Sequence, residues 1–554
     1  MNLKNSPNKE KYLLKAKEAI KEVFETEYSG MLSLPFPKVS FLSPEQGNYN
    51  SGQYFITVGR NWQIHLNFGK LPKIYREFQA EVKVLTRHEI EHYRTCPFDI
   101  LTHLRMIKTI IDVNNHHVSP TDLNTIKQLA PSISNQIADI IIDTNNYFKH
   151  PEDTLKSEIN WIIKGSDDAF QNVSRTGKLM FLLKEALWKQ DLDLNEKDNK
   201  INSTVKELRS IIEKGGITNK EEFISKTEIY TNKFLEMFHL DTIDSETSQQ
   251  ALGDSVPSKD GGEEGESLII SDPDKVKDAI NQLAQETSVD EFLDILESSG
   301  IKTLSEEEKE IVWFEAQNID EIPLVIDTST KSKNELSFPS SWNIGDPVED
   351  LDLLLTLQSM PKILPGISTK KWEKQYSSIK GADKKDSDLL LVIDTSGSMG
   401  SIKEQGSRLN EAVLASFGFV KYFENKKAEI ALVNYSSTRK TQNWTKQYEL
   451  IKKLLLFSWG SGTEFPINSI ENLVEEKKDN LVIVVMTDGE IQNWNQTFDL
   501  FKELLQLRNK VFLFLMDGST NKDKYDDLKN YGGFVEDVST VNEIRNIVFS
   551  EIAE

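Results

Sequence analysis

One cysteine, Cys96, occurs in 554 residues, so no disulfide can close within the chain and no cysteine-rich zinc knuckle can form. Such usage fits a reducing compartment. No apolar run approaches the ~18 residues of a spanning helix. Residues Met1 to Lys9 are polar and lead into an amphipathic stretch (Leu13, Ala16, Ile20, Val23, Phe24), not the continuous apolar core of a secretory leader. A cytoplasmic protein without a membrane span is expected. Positive charge is scarce too, with 65 Lys and Arg against 88 Asp and Glu, a net charge of -23. Nucleic-acid affinity depends mainly on clustered Lys and Arg, so a general phosphate-backbone binder is not expected. No Gly-x-x-x-x-Gly-Lys-Ser/Thr loop occurs, which excludes ATP hydrolysis by a phosphate loop of this chain. With no repeat of fixed period, a solenoid or propeller is not expected.

What is present is ordinary globular composition, 38% apolar and 28% charged, on a chain too long for one core. Large apolar residues nearly vanish between Ser245 and Ser267, and Asp241 to Gly300 carries sixteen acidic residues against three lysines. Such a stretch repels itself and solvates. The expected organisation is a mostly helical domain over 1–245, a flexible acidic linker over 246–268, a helical and irregular connecting region over 269–385, and an α/β domain over 386–554. In the first of these, Tyr54 to Val58 and Trp62 to Phe68 flank Gly59-Arg60-Asn61, and the second run alternates apolar and polar residues, which predicts a hairpin with one buried face.

In the last domain four apolar runs read as buried parallel strands: Leu389 to Ile393, Ala428 to Val433, Leu481 to Met486 and Val511 to Met516. Helical stretches alternate with them, which predicts a doubly wound, Rossmann-like sheet whose ligands bind beyond the strands' carboxyl ends. The first strand ends in Asp394-Thr395-Ser396-Gly397-Ser398 and the third in Thr487-Asp488-Gly489, while a loop from Ser458 to Phe465 sets Thr463 among glycines. Hydroxyls and carboxylates in that grouping suit Mg²⁺, a hard cation that prefers oxygen. The pattern resembles the metal-ion-dependent adhesion site of von Willebrand factor A (vWA) domains. That resemblance implies Mg²⁺ held by Ser396 and Ser398 directly, by Thr463 directly or through water, and by Asp394 and Asp488 through water, with a partner protein's carboxylate at the open position.

In the first domain His88-Glu89-Ile90-Glu91-His92 lies on a stripe of helical period (Phe78, Val82, Leu85, His88, His92). Imidazoles at i and i+4 share one helix face and can chelate Zn²⁺, with Glu89 as general base. A catalytic zinc needs a third protein ligand and an open position. No Glu occurs from Tyr93 to Pro151, so Asp or His must serve. Asn135-x-x-x-Asp139-x-x-x-Asp143 lies in an apolar helix, where a carboxylate is costly to bury without a metal or partner. Asp139 is the first choice and Asp143 the second, with His103, His116 and His117 also available.

This half resembles the zincin-like metallopeptidase domains, α+β and mainly helical, that precede vWA-like domains in prokaryotic predicted peptidases. That resemblance implies that the hairpin offers an edge along which an extended peptide pairs. The stretch Ser337 to Trp372, with Trp342 to Pro347 and Pro365 to Thr369, resembles the segment before the A domain in partners of MoxR-type AAA+ ATPases. The expectation is a zinc-dependent metallopeptidase acting on peptide or protein, coupled to a Mg²⁺-dependent interaction domain and a separate AAA+ ATPase. The alternative is a non-enzymatic adaptor for a remodelling or metal-insertion machine, its N-terminal metal structural and closed by His88, His92, Asp139 and Asp143.

Overall fold

The computed structural model describes residues 7–28, 38–41, 54–57, 63–66, 71–116, 122–164, 170, 174–244, 273–299, 305–318, 336–341, 370–375 and 387–553, apart from 73, 98, 193, 195, 215, 220–221, 459, 461, 478–479 and 517–521. The chain divides into two compact units, Met1–Gln317 and Asn318–Glu554.

The first unit runs α1 (Pro7–Glu27), β1 (Lys38–Phe41), β2 (Tyr54–Thr57), β3 (Gln63–Leu66), α2 (Tyr75–Arg94), α3 (Ile100–His116), α4 (Leu123–Lys149), α5 (Pro151–Lys164), α6 (Arg175–Trp188), α7 (Asn199–Ile212), α8 (Phe223–Asp244), α9 (Pro273–Gln285), α10 (Val289–Ser298) and α11 (Glu306–Ala316). β2 and β3 pair antiparallel from Tyr54↔Leu66 to Thr57↔Gln63. β1 adds parallel to the other side of β3, so β3 is central and β2 lies at an edge of the described strands. Ile64 and Leu66, two residues apart and therefore on one sheet face, join Ala16 and Ile20 of α1 and Phe78, Val82 and Leu85 of α2 in a single core. The apolar half of the α2 stripe is thus spent on this core, and its C-terminal half faces elsewhere.

It faces α4, which packs against α2, α3, α5, α6 and α8. Asp122 caps α4 by accepting from Thr125 N at 3.0 Å. Ile126, Leu129, Ile133, Ile137, Ile140 and Ile141 are buried. Enclosed on so many sides, α4 buries its acidic residues as well, Asp139 at 4% exposure and Asp143 at 2%. Helices α9 and α10, from the expected connecting region, pack on α3, and α10 also on α4. The acidic stretch 246–268, Trp342 to Pro347 and Pro365 to Thr369 lie outside the described residues.

The second unit holds an antiparallel pair, β4 (Leu336–Ser341) with β5 (Lys370–Gln375), and then β6 (Asp388–Asp394), α12 (Arg408–Asn425), β7 (Ile430–Tyr435), β8 (Arg439–Thr445), α13 (Tyr448–Leu455), α14 (Ile467–Lys477), β9 (Leu481–Thr487), α15 (Trp494–Gln506), β10 (Lys510–Met516), β11 (Phe534–Val538) and α16 (Val541–Ala553). The sheet order is β11-β10-β9-β6-β7-β8, parallel except for β8. Every residue from Leu389 to Ile393 is buried, so both sheet faces are covered. The chain leaves β6 towards β7 on one side and returns at β9 on the other, which sets the carboxyl ends of β6 and β9 side by side at a switch point. Strands β8 and β11 escape a sequence reading because their alternation is polar or charged, Arg439-Lys440-Thr441-Gln442 in one and Glu536-Asp537 in the other. Among the described residues no helix is long and apolar enough to cross a membrane.

Candidate metal centres

Helices α2 and α4 each offer an i, i+4 pair to the other: His88 and His92 from α2, Asp139 and Asp143 from α4. The imidazole rings lie 5.0 Å apart, edge to face. Asp139 Oδ1 sits 3.3 Å from His88 Nε2 and 3.6 Å from His92 Nε2. The ligating atoms of His88, His92 and Asp139 all fall within 4.8 Å of one another, close enough to share one ion. Asp139 Oδ1 is buried and has no hydrogen-bond partner among the described residues, a costly state for a carboxylate oxygen that a cation relieves. Two imidazoles and a carboxylate suit Zn²⁺. His92 is oriented from behind by the Cys96 carbonyl, 3.2 Å from its Nδ1.

Asp143 does not join that group. Its Oδ1 lies 2.6 Å from His88 Nδ1, on the side of the ring away from Asp139, and its Oδ2 accepts from Lys184 Nζ of α6 at 2.5 Å. The imidazole is buried, which opposes its charging, but Asp143 and Asp139 together hold its pKa well above the ordinary histidine value. Lys184 also faces Glu158 Oε1 of α5 at 3.4 Å, and both are almost wholly buried. The sequence reading does not single out Lys184; its signal is a lysine, next to Glu185, inside the otherwise apolar run Leu179 to Trp188.

Glu89 lies on α2 beside His88, buried at 9% exposure. The motif's other acid, Glu91, has a structural job: it accepts from Asn145 at 2.9 Å, Lys149 at 3.0 Å, Arg94 at 2.9 Å and the Thr95 hydroxyl, tying α2 to α4. Burial would raise its pKa, but those bonds outweigh it and lower it. His103 stands in the first turn of α3 with Nδ1 3.4 Å from Ser134 Oγ, outside the three-residue group; burial, with a smaller push from His92, brings it down to about 4. The side chain of His116 and all of His117 lie outside the described residues.

In the second unit the oxygen donors gather where β6 and β9 end. Ser396 Oγ and Ser398 Oγ are 3.1 Å apart. Asp394 accepts from Ser396 N at 3.0 Å and from Thr487 Oγ1 at 2.8 Å, which fixes both its oxygens. The loop bearing Thr463 is stitched to each neighbour: Gly460 N donates to Thr395 O at 3.0 Å, and Gln492 N to Thr463 O at 3.2 Å. A Cβ on Gly397 would stand 3.0 Å from Gly460 O, so the first loop needs a glycine there for the third to close in. Asp488 Oδ2 is buried with no hydrogen-bond partner among the described residues, and burial, with a smaller contribution from Asp488, pushes Asp394 up to about 6. Buried carboxylates so arranged, beside two hydroxyls, fit a hard divalent cation.

No protein-family model matches the chain, and no curated protein does. Solved structures similar to it include an aerotolerance-related membrane protein from Bacteroides fragilis NCTC 9343 (18% identity over 30% of this chain and 98% of that one, TM-score 0.24). BatB from Bacteroides thetaiotaomicron is similar at 18% identity, over 30% of this chain and 99% of that one, TM-score 0.24. The VWA domain of SpRpn10 is similar at 12% identity, over 30% and 94%, TM-score 0.24. Scores of this size leave the chain's own residues to carry the functional case.

Proposed function

We propose that the first unit is a zinc-dependent peptidase and that the second is a vWA-like unit which takes a partner protein's carboxylate on Mg²⁺. The observation that carries the peptidase reading is the division of labour on α4: Asp139 meets both imidazoles, whereas Asp143 is turned to the far nitrogen of His88. Three protein ligands and an open position are what a catalytic zinc requires, and a set closed by both aspartates is not what this arrangement favours. Zinc held by His88, His92 and Asp139 would supply Lewis-acid polarisation of a peptide carbonyl and a water of lowered pKa. Glu89 then takes the attacking water's proton and returns it to the departing amine. In the second unit Asp394, Ser396, Ser398, Thr463 and Asp488 would hold Mg²⁺, and Asp488 Oδ2, buried with no hydrogen-bond partner among the described residues, supports a cation there. A separately encoded MoxR-type AAA+ ATPase is the partner this reading expects, in the cytoplasm.

The test uses zinc-loaded full-length protein and fluorescein-labelled casein. Glu89→Gln keeps its zinc and loses cleavage; cleavage that survives the substitution overturns the reading. A second reading, a non-enzymatic adaptor with a structural metal, is favoured by the low exposure of the site, 2% to 9% across His88, Glu89, His92 and Asp139. It predicts tightly held zinc and no cleavage by the wild type.

A further inference from the structure

Lys184 is a lysine at 1% side-chain exposure in the middle of α6, and an ammonium so enclosed is retained only where anions meet it. It meets Asp143 Oδ2 at 2.5 Å and Glu158 Oε1 at 3.4 Å. The other oxygen of Asp143 lies 2.6 Å from His88 Nδ1, and the other nitrogen of that ring lies 3.3 Å from Asp139. Four helices therefore contribute to one line of contacts, Glu158 of α5, Lys184 of α6, Asp143 of α4 and His88 of α2, which ends at the candidate metal ligands.

From this geometry we propose that Lys184 is a positioning residue of the metal centre: by holding Asp143 Oδ2 it keeps that carboxylate outside the coordination sphere and aims its other oxygen at His88 Nδ1. The inference rests on the metal-site reading above. Two consequences follow in the folded protein. His88 carries its ring proton on Nδ1 when the ion is bound, so Nε2 is the coordinating atom, the arrangement by which a carboxylate behind a histidine raises its strength as a ligand. Asp143, engaged by the ammonium, cannot swing round to fill the position that a substrate or water needs. Asp139 and Asp143 stand one turn apart on the same helix face, and the lysine on α6 engages only the second of them.

Zinc affinity of full-length wild type, Lys184→Met and Asp143→Asn is measured by competition with a chromophoric chelator, and the histidine ring protons of the zinc-loaded proteins are followed by ¹⁵N-edited NMR. Loss of such outer partners costs roughly 10- to 100-fold in metal affinity. We expect a loss of that order in both variants, and the His88 Nδ1 proton, protected in wild type, to vanish or exchange rapidly. A merely structural lysine would lower the unfolding temperature and leave the affinity and proton signal of the folded protein unchanged, which overturns the proposal. Should Lys184→Met fail to fold, the near-isosteric Asp143→Asn decides alone: wild-type affinity with an unchanged signal overturns it. If wild type itself takes up no zinc, the metal-site reading has failed; if wild type binds and both variants match it, only the role of Lys184 has failed.

Discussion

Asp394 shows what burial does to a carboxylate at a candidate cation site. Burial, aided slightly by Asp488, raises its pKa from 3.8 to about 6 against the hydrogen bonds from Ser396 and Thr487. A carboxyl group raised in this way stabilises the metal-free fold fully below its unfolded pKa, and that contribution is lost as pH climbs through the folded value. The complete loss, from below about pH 4 to above about pH 7, is on the order of 3 kcal/mol. A cation reverses the sign, because it needs the ionised form. Mg²⁺ binding by the full chain, followed by calorimetry, is therefore expected to weaken about tenfold between pH 7 and pH 5. Affinity that is flat over that interval contradicts the placement of Asp394 at the ion. The contrast between Glu89 and Glu91 belongs to this scale too. Glu91 is consumed by Asn145, Lys149, Arg94 and Thr95, so Glu91→Ala should destabilise by roughly 3 kcal/mol or more through loss of a buried charge network. Thermal unfolding checks this, and Glu89→Gln should leave the unfolding temperature near that of the wild type.

Elements explain what the sequence could and could not reveal. The i, i+4 pair on α2 and the apolar stripe through Phe78, Val82 and Leu85 were legible because a helix repeats every 3.6 residues, and the four strands β6, β7, β9 and β10 because strands buried on both faces read as continuous apolar runs. The preference for Asp139 over Asp143 was legible, but the contact that turns Asp143 away was not, since it is made by Lys184, which lies 41 residues from Asp143 in sequence and arrives through the packing of α6 on α4. The parallel strand β1 was likewise hidden, as a four-residue strand with mixed burial carries no distinctive period. Loop closeness gives an element-scale prediction. In Gly397→Ala the new methyl must displace the Gly460 carbonyl, 3.0 Å away, and with it the loop that carries Thr463. Mg²⁺ affinity should drop severalfold while the circular dichroism spectrum stays unchanged; an unaltered affinity removes Thr463 from the site.

At the scale of the molecule, each compact unit carries its own candidate donor set, nitrogen and carboxylate in Met1–Gln317, hydroxyl and carboxylate in Asn318–Glu554. A ligand that binds only the folded form stabilises it by about 2.7 kcal/mol at one hundred times its dissociation constant. Scanning calorimetry of the full chain should accordingly show one transition that moves up with Zn²⁺ and another that moves up with Mg²⁺; a single transition shifted by both would join the sites. The claim beneath all of this is that α2 and α4 grip a metal through His88, His92 and Asp139. Elemental analysis of purified wild type beside His88→Ala tests it most directly: wild type should hold about one zinc per chain and the variant almost none, whereas equal zinc in the two, or none in either, contradicts the account.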